Sequence, residues 1–140
     1  MYLLDTNVIS ELRKPKPHGG VVAWIDGLAN HELFVSAVTL GELQAGVALT
    51  RRQDAAKAEE IEKWIDQMAD GYQVLPMDGR CFREWARLLD GHPDRLSEDA
   101  MLAATARVHG LTVVTRNTRD FQSFGVKLLN PFTATTAPKG

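Results

Sequence analysis

Four carboxylates in this 140-residue chain are hard to explain singly and easier to explain together. Asp5 follows the apolar run "YLL" with no spacer, and a carboxylate at the end of a buried strand is costly unless something pairs with it. The nearest cations, Arg13 and Lys14, lie beyond "TNVISE", which reads as a helix start. Glu42 falls in "SAVTLGEL", in the first turn of the helix expected after a second strand. Asp99, in "LSEDAMLAATA", opens a helix that is apolar almost all round, and Asp120, in "TRNTRDF", follows a fourth strand by a few residues. Oxygen-only groups of this kind suit Mg2+ or Mn2+, which accept a few carboxylates and keep several waters. A cation shared among them is the expected partner of Asp5.

Local structure offers a competing account of each acid. Thr39-x-x-Glu42 is a capping-box pattern, in which the Glu bonds back to the Thr39 N–H. Asp99 follows Ser97, a good N-cap, and the helix dipole favours an acid in a first turn. Asp120 lies shortly after Asn117, another N-cap candidate. Asp78, in "LPMDGR", reads as the plain N-cap of a helix over 79–89. Capping explains each acid alone; it does not explain why several should stand at one edge.

The elements that must position them alternate. Strand candidates are "YLL" (2–4), "LFVSA" (33–37), "YQVL" (72–75), "TVVT" (112–115) and a weaker "VKLL" (126–129). Between them, Val21, Trp24, Ile25 and Leu28 form one helical stripe, and Ile61, Trp64, Ile65 and Met68 another. "DAMLAATARVHG" reads as a buried helix with a glycine C-cap at Gly110. The start of "LTRRQDAAKAEEIEKW" reads as a solvated helix joint. The alternation implies an α/β fold, a parallel sheet with helices on both faces, whose ligands bind at the carboxyl edge of the strands. All four acids fit that edge.

Composition sets the frame. A 44% hydrophobic and 24% charged chain of this length is an ordinary globular domain. No apolar run approaches the roughly 18 residues that span a bilayer, and no signal-peptide pattern precedes the first strand, so a cytoplasmic protein with no membrane contact is expected. The single cysteine, Cys81, shares a helical face with Trp85 and Leu88 and reads as a buried, inert thiol. Net charge is −2, which gives no global basic footprint for nucleic acid, yet without the four acids it becomes +2. The four histidines show no ligand-like spacing, and His109 suits the helix C-terminal dipole beside Gly110.

The motifs "LLDTNVISEL", "VSAVTLGELQAGV", "EDAMLAATARVHG" and "VVTRNTRDF…LLNP" together resemble the PIN-domain ribonucleases, particularly the VapC-type and FitB-like toxins of toxin–antitoxin pairs. The resemblance runs from residue 2 to about 132. It implies a three-layer α/β/α sandwich with a central parallel sheet of four to five strands, a PIN domain over 1–133 and a flexible tail over 134–140. It maps the family's first three acids onto Asp5, Glu42 and Asp99, with the metal on Asp5 and Asp99. The fourth role varies among members between the positions held here by Asn117 and Asp120; the acid, Asp120, is the better ligand. Thr6, Thr115 and Asn117 become supporting or water-positioning residues, and the helix 51–70 resembles a protruding arm. The segment "LDGHPDRLSED" is shorter than in some relatives.

The implied activity is Mg2+- or Mn2+-dependent cleavage of RNA by water, leaving 3′-hydroxyl and 5′-phosphate ends. Arg13, Lys14, Lys16, Arg51 and Arg52 are rim candidates for phosphate, with Arg116 and Arg119 favoured because they flank the site. The implied partners are an RNA substrate, a small DNA-binding antitoxin and a second copy of the chain. One apolar stripe could line a groove for the antitoxin's amphipathic segment, or both could be core. Three other readings stand beside this one. A haloacid-dehalogenase-like phosphatase needs a second Asp where Asn7 stands. A receiver-like binding module needs a Lys near the last strand, and Lys127 lies inside the strand candidate. A PIN-like module without catalysis would not need all four acids.

Overall fold

In a computed structural model of the chain, residues 1–91 and 98–133 are described; the expected N-cap Ser97 and the tail over 134–140 lie outside them. The order begins with β1 (Tyr2–Leu4), α1 (Thr6–Arg13) and α2 (Gly19–Asp26). β2 (Leu33–Ser36), α3 (Ala37–Arg51), α4 (Ala55–Gly71) and β3 (Gln73–Leu75) follow. The second half is α5 (Gly79–Leu89), α6 (Glu98–His109), β4 (Thr112–Val114), α7 (Thr118–Phe121) and β5 (Leu128–Leu129). The five strands form one sheet in the order β3-β2-β1-β4-β5, and every neighbouring pair is parallel. The fold is the three-layer α/β/α sandwich of the sequence reading.

The strand period of two divides the core between the layers. Leu3 and Val113 face Ala103, Ala106, Phe121 and Phe124 on one side. Leu4, Val35 and Val114 face Val8, Ile9, Val21 and Met68 on the other. Burying each such side chain stabilises the fold by about 1.5–3 kcal/mol. Both helical stripes are mainly core: Val21, Ile65 and Met68 are buried, while Trp24, Ile25, Leu28, Ile61 and Trp64 pack half-buried against them. Tyr2 meets Trp24 edge-on at 5.2 Å between centroids.

The helix expected over 51–70 is α4, which starts later, at Ala55, and packs against α3. Val47, Ala58 and Ile65 clasp them together. The joint falls at Arg52–Asp54, where the Asp54 carboxylate caps α4 by accepting from the Lys57 N–H at 2.9 Å. Asp78 caps α5 through the Cys81 N–H at 3.0 Å, as its spacing suggests, and the Cys81 thiol is fully buried with its pKa pushed up by that burial. α6 ends at Gly110, whose φ of +67° permits the Leu111 N–H to close onto the Ala106 carbonyl at 2.9 Å.

Candidate active site

The sheet reverses direction at β1. The chain steps outward from β1 to β2 and β3, then returns to β4 on the other side. In open α/β sheets the crevice at such a reversal, beyond the carboxyl ends of the strands, is where ligands bind. Asp5 is the first residue past β1 and Thr115 the first past β4. The ladder carries the two to each other: the Asp5 N–H donates to the Val114 carbonyl at 2.9 Å.

Asp5 is only 7% exposed, and among the described residues hydrogen bonds rather than a protein cation hold its charge. Oδ1 accepts from the Thr6 N–H at 2.7 Å, so Asp5 also caps α1. Oδ2 accepts from the buried Thr115 hydroxyl at 2.8 Å and the Asn7 amide at 3.2 Å. The cations nearest in sequence are engaged elsewhere, Lys14 with Glu11 at 2.9 Å and Arg13 over the Trp64 ring at 6.0 Å. A carboxylate offers about four lone-pair sites. Three are taken, which leaves one for a ligand.

Glu42 sits differently from the sequence expectation. β2 stops at Ser36, whose hydroxyl caps α3 by accepting from the Val38 N–H at 3.0 Å. Thr39 is therefore inside the helix and Glu42 in its second turn, too far along to close a capping box. The Glu42 carboxylate instead accepts from the Thr6 hydroxyl at 2.8 Å, with the Thr39 hydroxyl 3.5 Å from that of Thr6. Thr6 thus ties the two acids, its N–H to Asp5 and its hydroxyl to Glu42.

The remaining acids reach the same edge. Asp99 lies in the first turn of α6 beside Glu98, and Asp120 lies exposed on α7. Burial pushes the Asp5 pKa up, its three hydrogen bonds pull it back, and the Asp120 charge raises it further. Burial also raises Glu42; the Thr6 bond opposes it, and the charges of Glu98, Asp5 and Asp99 add to it. Each of the four acids therefore feels at least one of the others. Asn117 precedes α7 without a side-chain capping bond, and its N–H donates to the Thr115 hydroxyl at 3.0 Å.

A divalent cation fits the donor chemistry, since the acids are oxygen donors, two of them charge-strained, with at least one free lone pair on Asp5. Among the described residues, however, no three His, Cys, Asp or Glu side chains converge closely enough to form a ready cage. Mg2+ usually binds through one or two carboxylates and completes its shell with water, so it does not require one.

Of the cations expected at the rim, Arg51 pairs with Glu62 at 2.7 Å on the arm. Arg116 lies over the Phe132 ring at 4.5 Å, and its N–H donates to the Asn7 side-chain oxygen at 3.1 Å. Arg119 is exposed on α7 beside Asp120. Sequence reasoning missed Asn7, Thr39 and Glu98 as part of this setting. Asn7 had a signal in "DTN", a polar side chain one residue past a capping helix start. Its amide turned toward Asp5 also disfavours the dehalogenase-like reading, which needs a carboxylate there. Lys127 stands just before β5, at the edge opposite the acids, and does not reach them.

Thr115→Val keeps the shape of a fully buried side chain but removes the donor to Asp5 and the acceptor for Asn117. Thermal melting should show a loss of about 1–3 kcal/mol, and activity should fall about 10–100-fold, the usual cost of removing a group that orients a metal-binding carboxylate. Unchanged activity would detach Thr115 from the site.

The PIN domain family model matches residues 2–127. The plasmid stability protein StbB of Pseudomonas syringae pv. tomato is 40% identical, over 96% of this chain and all of its own. Toxin FitB of Neisseria gonorrhoeae is 38% identical, over 94% of this chain and 99% of its own. The VapC ribonuclease Y4jK of Sinorhizobium fredii is 36% identical, over 94% and 98%. A chain in the crystal structure of FitAcB from Neisseria gonorrhoeae superposes with a TM-score of 0.84 at 36% identity, covering 95% of this chain and 99% of that one. With the sheet order, the acid-bearing edge and a match over most of its length, the chain belongs to the PIN domain family.

Proposed function

We propose that this protein is an endoribonuclease toxin of a toxin–antitoxin pair, hydrolysing RNA phosphodiester bonds with the help of Mg2+ or Mn2+. The observation that carries the reading is the Asp5–Thr6–Glu42 unit. Two carboxylates whose protonation is favoured by burial and mutual repulsion are held at the sheet reversal with Asp99 and Asp120 near them. Such a set is short of positive charge. The relatives named as a toxin and as a ribonuclease supply the substrate class.

Asp5 and Asp99 would hold the ion. A bound divalent ion supplies a water of lowered pKa and a Lewis acid for the phosphoryl oxygen. Thr115 and Asn7 fix the Asp5 carboxylate, and Thr6 orients Glu42. Glu42, with its raised pKa, is suited to take the proton of the attacking water. Asp120 on α7 and Asn117 just before it orient that water, and Arg119 and Arg116 contact the phosphates on either side. The ends left are a 3′-hydroxyl and a 5′-phosphate.

An antitoxin could silence the site with an arginine, whose guanidinium pairs bidentately with carboxylates and competes with the metal. A shallow groove of about 310 Å³ between Asn30, Trp64, Met68 and Tyr72 offers its amphipathic segment a seat. Self-association belongs to the same reading, with Phe82, 44% exposed on α5, as the aromatic available to it. Light scattering should give the mass of two copies, and the mass of one would remove that part.

The test of the activity is incubation with total RNA with and without EDTA. Cleavage with Mg2+ that stops on chelation is expected. Cleavage that survives EDTA, or that leaves 2′,3′-cyclic phosphate ends, would sink the mechanism.

A further inference from the structure

At the end of the molecule opposite the carboxylates, a cleft of about 650 Å³ opens between α5, the last turn of α6 and the segment entering β5. Five cations line it, Arg80, Arg83, Arg87, Arg107 and Lys127, against one carboxylate, Glu84. The chain as a whole has 16 cations to 18 acids, so the cleft is more basic than the molecule around it. Glu84 pairs with Arg87 at 2.9 Å and Arg107 at 2.6 Å. Among the described residues no ion pair engages Arg80, Arg83 or Lys127.

One wall is built to stay in place. The Arg107 guanidinium, besides meeting Glu84, donates to the Phe124 and Gly125 carbonyls at 3.2 and 3.0 Å. Gly125 has φ +66°, and a Cβ there would stand 2.8 Å from Arg107 Nη1, so the glycine is what lets the arginine lie against the backbone. Along α5, Arg80, Arg83 and Arg87 rise in steps of about 4.5 and 6 Å at 1.5 Å per residue. That ladder of donors can meet successive phosphates of one strand.

We propose that this cleft binds the phosphate backbone of the RNA at a distance from the bond that is cut. The inference rests on the ribonuclease reading and adds a second anchoring surface to it. Arg107 is eight residues along α6 from Asp99, which places it about 12 Å from that acid along the helix axis. A dinucleotide with its one phosphodiester in the catalytic site does not reach it, and a longer or folded RNA does. Long RNA is then held by phosphate contacts that carry no sequence information.

The test is the double variant Arg83→Glu/Lys127→Glu, at two exposed side chains that make no ion pair among the described residues. Binding of a long RNA is measured against salt in an Asp99→Asn background with Mg2+, and cleavage in the intact-site protein. Losing two phosphate contacts should lower the log–log salt slope by about 1.4 for a single strand. KM for long RNA should rise several-fold at unchanged kcat, while cleavage of a dinucleotide stays the same. An unchanged slope and KM would overturn the proposal. So would loss of tripolyphosphate binding with RNA binding intact, which would assign the cleft to a free polyphosphate, or loss of binding to an acidic peptide alone. If the variant melts early, Arg83→Gln/Lys127→Gln carries the same measurement at about half the change in charge. A parent that neither binds nor cuts RNA refutes the ribonuclease reading itself, an outcome distinct from a parent that cuts equally well with and without the cleft charges.

Discussion

Asp99→Asn should abolish RNA cleavage, with a fall of about 10³-fold or more, while the metal-free protein stays folded. Removing an ion-binding carboxylate forfeits several kcal/mol of transition-state stabilisation, and each 1.36 kcal/mol is about tenfold in rate. Asn lacks the charge that the helix dipole favours in the first turn of α6, a loss of about 0.3–1 kcal/mol that leaves the protein folded. Neutralising Asp99 also removes one of the charges that repel Glu42. Asp5→Asn should be equally inactive but less neutral for stability. An Asn keeps the α1 cap, yet the Oδ2 position receives donors from both Thr115 and Asn7, and an amide NH2 placed there satisfies neither. That mismatch costs about 1–3 kcal/mol, offset in part by the loss of a buried charge. Glu42→Gln separates chemistry from structure most sharply, because Gln still accepts from the Thr6 hydroxyl. Steady-state cleavage and a thermal melt of each variant check these outcomes. A fully active Asp99→Asn protein would leave the acid as a dipole-stabilising residue and nothing more.

Mg2+ should stabilise the protein strongly at neutral pH and weakly in acid. Folding raises the Asp5 and Glu42 pKa above their ordinary values of 3.8 and 4.5. Between those values and the raised ones the native state binds more protons than the unfolded chain, so stability falls as pH rises through the window. The contribution is present in full below the ordinary values and lost above the raised ones. Metal competes with the same protons. At pH 7 and 100 times its Kd, Mg2+ adds about 2.7 kcal/mol, or about 5–10 °C in Tm for a chain of this size. As pH falls toward the ordinary carboxylate values the increment should shrink, because protons then compete with the metal for Asp5 and Glu42. Glu11, Asp78 and Glu84, whose pKa values are lowered by their hydrogen-bond partners, act in the opposite sense, so the comparison is made between the parent and Asp99→Asn under each condition. Equal increments in the two proteins, or at neutral and acid pH, would contradict a metal at these acids.

The layers of the fold were legible because they rest on local patterns. β1, β2 and β4 are apolar runs, α5 begins at a capping Asp78, and α6 ends where Gly110 supplies a left-handed residue. β5, two residues at the sheet edge, was visible only as a vaguer run over 126–129. The start of α3 was misplaced because Ser36 and Thr39 can both cap a helix, and the end of β2 decides between them, a matter of sheet pairing rather than local preference. The same shift moved Glu42 from a capping role to the Thr6 hydroxyl. The acidic edge could be foreseen from strand ends, but the partners of Asp5 could not. Thr115 is 110 residues away and meets it only because β1 and β4 are neighbours. The apolar stripes were ambiguous for a related reason: periodicity shows a buried face and not whether this chain or another buries it. The basic cleft was invisible in the sequence because its cations come from α5, α6 and the entry to β5, which the fold alone assembles.

The measurement that bears most directly on the metal-dependent site is a crystal of the protein grown with Mn2+ and read by anomalous diffraction. A peak is expected at the carboxyl edge of β1, within about 2.0–2.3 Å of carboxylate oxygens of Asp5 and Asp99, and absent from the Asp99→Asn crystal. No peak there at saturating Mn2+, or a peak on other residues alone, would contradict the account.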